Sequence, residues 1–211
     1  MMKHMLVMFG LLSAVGMRQT FAEDTGSSDS LVWCGLDYSR VKMIGTEDFA
    51  EPSEIFPEML DKWNSLFMKE MLPKLEKIAG SLRSDVKAVD VPNSKASEKK
   101  AIVREDGTRE EMVTPSHITE KDIAASVKAY TLKHNEGMGM VFIVDRLVKV
   151  QKTGCLYVVF FDLKSRNVLY SERVCNEAAG AGFRNFWFKP IKVVIEKQLA
   201  GMYKKAKANT K

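Results

Sequence analysis

Three apolar segments near the carboxyl end of the chain restrict the fold more than any other feature of the sequence. They span residues 139–150, 154–162 and 167–175, and each has the length and composition of a strand. The connections between them are only a few residues long, whereas two parallel strands need a crossover of about a dozen residues or more. The sequence therefore predicts an antiparallel meander of three strands.

The remainder of the chain places helices and further strands around this meander. In chain order the patterns predict a buried strand at 31–36, helical segments from 55 to 82 that Pro73 kinks or divides, a strand at 85–91, a polar excursion at 92–116, a helix capped by Thr119, and a last helix led by Pro190. In the resulting order, β-α-β-loop-α-β-β-β-α, no helix lies between the three strands of the meander. It predicts an α+β two-layer sandwich with a mainly antiparallel sheet and helices packed on one face.

The first 22 residues have the layout of a cleavable secretory signal. Lys3 and His4 precede an apolar stretch of 13 residues, and the small residues Thr20 and Ala22 mark a cleavage site after Ala22. A spanning helix needs about 20 apolar residues, so we expect no transmembrane anchor. The expected organisation is a signal peptide at 1–22, a flexible mature amino terminus at 23–30, one domain at 31–207 and a tail at 208–211.

Export changes the charge balance and the expected partners. Loss of Lys3 and Arg18 with the signal lowers the formal net charge from +5 to about +3. The remaining basic residues alternate with acidic ones and form an unbroken cluster only at 204–207. Nucleic-acid-binding domains instead concentrate Lys and Arg on one face. We therefore expect a periplasmic or secreted protein with no nucleic-acid partner.

Three cysteines, Cys34, Cys155 and Cys175, enter this oxidising setting, so at most one internal disulfide can form. Folding the last hairpin about Ser165 places Cys155 opposite Cys175, within the spacing that a cross-strand disulfide requires. A slip of one residue would direct the two side chains to opposite faces. The alternatives are a disulfide and two small core residues, and Cys34 is expected to be a buried thiol.

No motif in the sequence points to catalysis, a cofactor or a metal ion. The mature chain holds two histidines, His117 and His134, neither at metal-ligand spacing, and no Gly-x-Ser-x-Gly elbow. The Gly/Ala-rich loop at 178–182 lacks the Gly-Lys-Ser/Thr ending of a phosphate loop. Asp37 and Asp162 each end an apolar strand, where a turn-capping role is much commoner than a catalytic one.

A cluster of aromatic residues follows the Gly/Ala-rich loop. Phe183, Phe186, Trp187 and Phe188 lie within six residues, together with Arg184. So many rings cannot all point in one direction. They form either a plug between the last helix and the sheet or a surface for a ligand or partner, for which Trp, Phe and Arg are common anchors.

Several segments carry a resemblance to known proteins. Residues 32–45 (VWCGLDYSRVKMIG), 137–147 (GMGMVFIVDRL), 158–174 (VVFFDLKSRNVLYSERV) and 180–187 (GAGFRNFW) resemble a family of bacterial secreted proteins with a domain of unknown function. The later part is similar, more loosely, to the α+β domains of cell-envelope assembly lipoproteins, although this chain lacks their lipobox cysteine. The resemblance implies an envelope role and supplies no catalytic residues.

Two functional hypotheses follow. The first is an exported, non-catalytic domain that binds protein partners in the periplasm or cell envelope. The alternative is an exported enzyme or a small-ligand-binding protein with a cleft near the loop and aromatic segment at 178–188. The lack of a catalytic motif favours the first.

Overall fold

A computed structural model describes residues 30–45, 55, 58–80, 82–84, 102–103 and 116–210 of the chain. The elements in these ranges are β1 (Leu31–Asp37), β2 (Lys42–Ile44), α1 (Glu58–Glu70), α2 (Leu72–Ala79), β3 (Leu82–Ser84), β4 (Ile102–Val103), α3 (Glu120–Ala129), β5 (Met138–Val148), β6 (Thr153–Asp162), β7 (Val168–Glu177), α4 (Gly182–Val193), a π-helical turn (Val194–Gln198) and α5 (Leu199–Ala208). The expected signal peptide and its cleavage site after Ala22, the strand at 85–91 and nearly all of the excursion at 92–116 lie outside the described residues.

The last three strands form the expected antiparallel meander. β5 pairs with β6 along almost its whole length, and β6 pairs in turn with β7. Every residue of β5 is buried, which explains the continuous apolar run from which the strand was predicted. The α+β class and the carboxyl-terminal meander are confirmed.

The other side of β5 carries parallel strands, so the sheet is mixed. β1 pairs with the first half of β5 and β2 with its second half, and both run parallel to it. β3 lies parallel beside β1, and β4 beside β2. The α1–α2 pair provides the long crossover that a parallel connection from β2 to β3 requires. Pro73 lies in the first turn of α2, where its missing N–H is tolerated.

The first face of the sheet carries α1, α2, α4 and α5 over a core rich in aromatic rings. Trp33 of β1 stacks on Phe67 of α1 with ring centroids 4.0 Å apart, and Phe142 of β5 meets Trp33 edge-on at 5.0 Å. Trp187 of α4 is also buried in this core. Rings of this size bury 150–250 Å² each and dominate the packing energy.

The second face is covered by α3, so the expectation that all helices pack on one face holds only for the other four. Ile123 and Val127 of α3 pack on Val141 and Ile143 of β5, which point away from the first face. β5 is apolar on both faces, and leaving the second face exposed to water would cost about 25 cal/mol per Å² of apolar surface. The helix α3 covers that face. Thr119 caps α3, as the sequence predicts.

The final helix begins at Gly182 and not at Pro190, which is a correction to the sequence-based expectation. Pro190 lies inside α4, where it cannot donate the usual helical hydrogen bond. Asn176 of β7 donates to the carbonyl of Pro190 (3.3 Å) and exchanges hydrogen bonds with Gln198 of the π-helical turn. Gly154 lets Pro190 approach the sheet, since a Cβ at that position would lie 2.8 Å from Cγ of Pro190.

Candidate functional site

The aromatic segment of α4 is mainly part of the core. Trp187 and Phe188 are buried, so neither is accessible to a partner. Phe183 and Phe186 are half-buried, and Phe183 stacks on Trp63 of α1 with centroids 5.8 Å apart. Arg184 is exposed, and its carbonyl accepts a hydrogen bond from the Trp63 indole (3.0 Å). The plug interpretation therefore describes Trp187 and Phe188, while contact through Phe183, Arg184 and Phe186 stays a prediction.

The β5–β6 turn adds an apolar residue at the same end of the molecule. Val150 is 69% exposed, the one large hydrophobic side chain that stands out among the described residues. Next to it, the Lys149 ammonium lies 5.1 Å from the ring centroid of Phe186 and partly covers that ring. The exposed apolar surface here is small, and single exposed residues of this kind are normal on soluble proteins.

The second face holds a buried charge cluster beside α3, which we call the Asp145 cluster: Asp145, Arg146, Arg173 and His117. The Asp145 carboxylate is fully buried on β5. Arg173 of β7 reaches it with Nη2 at 2.7 Å and Nε at 2.8 Å, and Nε of Arg146 lies 3.3 Å away. A buried carboxylate needs such partners, because an unpaired charge in the interior costs several kcal/mol.

His117 joins this cluster to the rest of the second face. Its Nδ1 lies 3.1 Å from Oδ1 of Asp145, and its Nε2 lies 2.8 Å from the carbonyl oxygen of Arg40. Both ring nitrogens therefore face an oxygen that accepts hydrogen bonds. A neutral ring donates through one nitrogen only, so the tautomer decides which of the two contacts is a hydrogen bond.

The surroundings of Asp145 favour its ionised form. Burial raises the pKa of this carboxyl, but hydrogen bonds from His117 and Arg173, with the charges of Arg146 and Arg173, outweigh burial. The pKa of Asp145 consequently lies below its ordinary value. Depression of this kind is typical of a carboxylate that anchors cations, and an acid catalyst would need the opposite shift.

Asp37 forms a second buried polar group where β1 ends. Its carboxylate accepts hydrogen bonds from the Tyr130 hydroxyl and from the backbone N–H of Ser39 (2.8 Å). Burial raises the pKa of Tyr130 well above the ordinary value for tyrosine, and the Asp37 charge adds to that rise. These contacts give Asp37 the turn-capping role that is common at strand ends.

The disulfide links β6 to β7 on the second face. Cys155 and Cys175 are directly opposed in the register that the sequence predicts, and a disulfide joins their sulfur atoms. Cys155 is 4% exposed, whereas Cys175 is exposed to solvent. Cys34 is buried under α3 and its thiol donates to the carbonyl of Val32 (3.5 Å).

β7 forms an edge of the sheet, since no other strand of the described ranges pairs with its outer side. The Ala178 N–H donates a hydrogen bond to the backbone carbonyl of Lys152 in the β5–β6 turn, on the side of β7 that faces β6. Counting back from Ala178, every second residue of β7 therefore forms backbone hydrogen bonds to β6. The residues between them direct their backbone N–H and C=O groups away from β6. The outward residues are Ser171, Arg173, Cys175 and Glu177. The Cα atoms of Cys155 and Cys175 are 4.1 Å apart, as expected of a pair without mutual backbone hydrogen bonds.

A groove of about 490 Å³ runs beside the first half of this edge. It lies between the amino-terminal turns of α3 and the start of β7, and its lining residues are Glu120, Lys121, Ile123, Ala124 and Val168–Ser171. At the opposite end of the molecule, near the aromatic segment, a cavity of about 10 Å³ lies next to Trp187 and Pro190. That space is close to the minimum for one water molecule.

The remaining candidates from the sequence have ordinary structural roles. Asp162 caps the β6–β7 turn by accepting a hydrogen bond from the Ser165 N–H (2.6 Å). His134 lies in the connection between α3 and β5. Within the described ranges, no group of three or more His, Cys, Asp or Glu side chains could hold a metal ion.

Comparison of the chain with protein-family models, with curated proteins and with solved structures found no significant match. Among the helices of the described ranges, none combines the length and apolar character that crossing a membrane requires.

Sequence reasoning missed the Asp145 cluster and the open edge of β7. The first was hidden by an irregularity between Val144 and Arg146, which shifts the alternation of β5 and brings Arg146 to the same face as Cys155. The second had a signal, because the last strand of a meander has a partner on one side only unless another segment covers it.

Proposed function

We propose that this protein is an exported, non-catalytic domain that acts through protein contacts in the periplasm or cell envelope. The observation that supports it is the open edge of β7, ten residues long and flanked by a groove. Long open edges invite association and are usually covered or blunted, so an edge that no described strand covers is a natural docking site. The resemblance to secreted and envelope-assembly proteins favours the same compartment.

The mode of contact that fits this edge is strand addition. An extended segment of the partner would bond the outward N–H and C=O groups of Ser171, Arg173, Cys175 and Glu177, and its side chains would enter the groove beside α3. Backbone bonds give affinity in this mode, while the groove gives specificity. The enzyme alternative, with a cleft near the aromatic segment, has less support, because the cavity described next to Trp187 and Pro190 has a volume of about 10 Å³, far below that of a substrate pocket.

The test removes one outward N–H without disturbing the β6–β7 ladder. Ser171→Pro deletes that donor, and Ser171→Ala is the matched control because it removes the hydroxyl and keeps the N–H. A photo-crosslinking residue at Glu177 would first identify the partner in intact cells, with the same residue at exposed Lys62 of α1 as the background sample.

The affinity of the purified partner for each variant then tests strand addition at β7. We expect Ser171→Pro to weaken binding by about fivefold or more, the value of one lost hydrogen bond, and Ser171→Ala to bind like the native protein. Equal binding of both variants, with the fold intact by circular dichroism, would refute strand addition at β7. Equal crosslinking from positions 177 and 62 would refute a partner at this edge.

A further inference from the structure

One helical run, from the start of α4 at residue 182 to the end of α5 at residue 208, carries a large excess of positive charge. It includes seven basic residues and one acidic residue. The α1–α2 segment at 58–79, which covers the same face of the sheet, includes four basic and four acidic residues. The excess therefore belongs to one helical run and not to the first face as a whole.

Four lysines form a line on the outer side of this run, which we call the basic stripe: Lys189, Lys192, Lys197 and Lys204. Lys197 and Lys204 are exposed, and the other two are half-buried. The buried residues of the run recur every three or four positions and face the sheet. They include Trp187, Ile191, Ile195, Leu199, Met202 and Ala206. The basic stripe lies on the opposite side and, at 1.5 Å per residue, extends over about 22 Å.

Two carboxylates lie against this run, and each is paired with a lysine outside the basic stripe. Glu196, on the run itself, bonds Lys74 of α2, and Glu172 of β7 pairs with Lys205 (3.3 Å). The hydrogen bond from Lys74 lowers the pKa of Glu196, and the charges of two stripe lysines add to that effect from farther away. Within the described ranges, no lysine of the basic stripe forms an ion pair. Counting Lys74 and Glu172 with the run leaves its excess of positive charge unchanged.

The surface around the basic stripe is low, which favours a flat partner. Ala200, Gly201 and Ala208 are exposed on the outer side of α5, and none of them has a side chain beyond Cβ. The lysine ammonium groups, on long flexible stems, can therefore reach a plane that lies against the helical run. A layer of phosphate headgroups offers such a plane, with the opposite charge.

The kind of basic residue separates a lipid surface from other anionic partners. Arg is enriched and Lys depleted at protein interfaces, and Arg is favoured in nucleic-acid recognition because its planar guanidinium forms paired hydrogen bonds. Six of the seven basic residues of the run are lysines, which bind phosphate as point charges without a fixed geometry. Clusters of about four to eight basic residues on one helix are typical of surfaces that bind anionic lipid.

We propose that the basic stripe is a peripheral membrane-binding surface for anionic phospholipid headgroups. The lysines attract the headgroup phosphates, and the helical run lies along the membrane surface without entering the hydrocarbon core. The apolar side of the run stays packed on the sheet, so binding requires no change of fold.

This inference goes beyond the proposed function and does not depend on strand addition at β7. The basic stripe lies on the outer side of the first face, whereas the groove beside β7 lies on the second face. A domain bound to a membrane through the stripe would therefore turn its groove toward the aqueous side.

The first experiment measures binding of the full-length mature chain to lipid vesicles by sedimentation. Vesicles of phosphatidylglycerol and phosphatidylcholine in equal parts are compared, at low ionic strength, with vesicles of phosphatidylcholine alone. We expect binding to the anionic vesicles only. This binding should weaken by about tenfold or more at 1 M salt, where the screening length falls to about 3 Å. Binding to neither kind of vesicle, or equal binding to both, would refute the proposal.

The second experiment tests which lysines carry the binding. Lys197→Gln combined with Lys204→Gln should weaken binding to the anionic vesicles by about 25-fold, because each lysine near such a surface contributes about fivefold. Arg at the same two positions keeps the charge and should bind like the native protein. Lys69→Gln combined with Lys77→Gln, at exposed positions of α1 and α2, is the matched control for net charge. Equal losses in the two Gln pairs would mean that overall charge, and not the basic stripe, binds the vesicle.

Duplex DNA tests the class of anionic ligand. A labelled duplex of random sequence is titrated with the native protein in the same low-salt buffer. We expect weaker binding than to the anionic vesicles at equal phosphate concentration. Equal or stronger binding to the duplex would assign the basic stripe to nucleic acid and overturn its assignment to the membrane.

Discussion

One face of the sheet carries four helices and a core dominated by aromatic rings, whereas the other carries the short helix α3 and, beside it, the Asp145 cluster. Apolar burial of the first kind stabilises the fold in proportion to area. Buried ion clusters of the second kind rarely add net stability, because desolvation offsets the attraction between the charges. The stability of the protein therefore comes mainly from the first face. The buried charged residues of the second face need an explanation other than stability.

The proposed docking site lies on the same face of the sheet as these buried charges. The disulfide, the Asp145 cluster and the groove beside β7 all belong to the second face. The first face positions them by fixing β5, β6 and β7 from behind. In the proposed function the first face is the scaffold, and the second face holds the groove beside the edge strand to which a partner would bind.

The largest predicted effect compares neighbouring core residues on opposite faces. Phe142→Ala removes a buried ring that contacts Trp33 and Phe67, and we expect it to lower the free energy of unfolding by about 3–5 kcal/mol. Ile143→Ala, one residue along β5 on the second face, should cost about 1 kcal/mol less. Urea denaturation of both variants measures the difference. An equal or larger loss for Ile143→Ala would mean that the second face contributes as much stability as the first.

Sequence reasoning reached the first face and the meander, but not the arrangement of the second face. The cysteine pairing could be predicted because the β6–β7 register is regular from Thr153 to Phe160, a stretch that includes Cys155, and shifts only closer to the turn. The position of Arg146 could not, because a bulge in β5 reverses which residues share a face. The parallel pairing of β1 with β5 also escaped prediction, since it joins residues about a hundred apart and depends on no local signal.

The next effect tests the charge balance of the second face. Asp145→Asn removes the negative charge between Arg146 and Arg173, and we expect a loss of about 2–3 kcal/mol in unfolding free energy near neutral pH. Because the folded-state pKa of Asp145 is depressed, its contribution is fully present above the unfolded pKa of about 3.9. It is lost as the pH falls through the lower, folded-state pKa.

The native protein and Asp145→Asn should therefore converge in stability below about pH 4. Urea denaturation from neutral to acidic pH measures this, with Asp61→Asn on the exposed surface of α1 as the control. A difference that stayed constant with pH would show that Asp145 acts through packing and not through its charge.

The smallest predicted effect concerns the cap of α3, on which the cover of the second face depends. The Thr119 hydroxyl accepts a hydrogen bond from the Asp122 N–H (3.2 Å), and the Asp122 carboxylate accepts one from the Thr119 N–H (3.0 Å). Hydrogen bonds from Thr119 also hold the pKa of Asp122 below its usual value. Thr119→Ala should cost about 1 kcal/mol, and Thr119→Ser should retain most of the cap.

Amide hydrogen exchange turns this small change into a test of the comparison between faces. If the second face can open by itself, Thr119→Ala will speed exchange in α3 and leave α1 and α4 at their native rates, because local opening involves only the elements that lose contacts. Faster exchange in α1 and α4 as well would mean that both faces open together as one cooperative unit. In that case the second face could not expose the Asp145 cluster or the groove without unfolding the scaffold, and a partner would have to bind the closed structure.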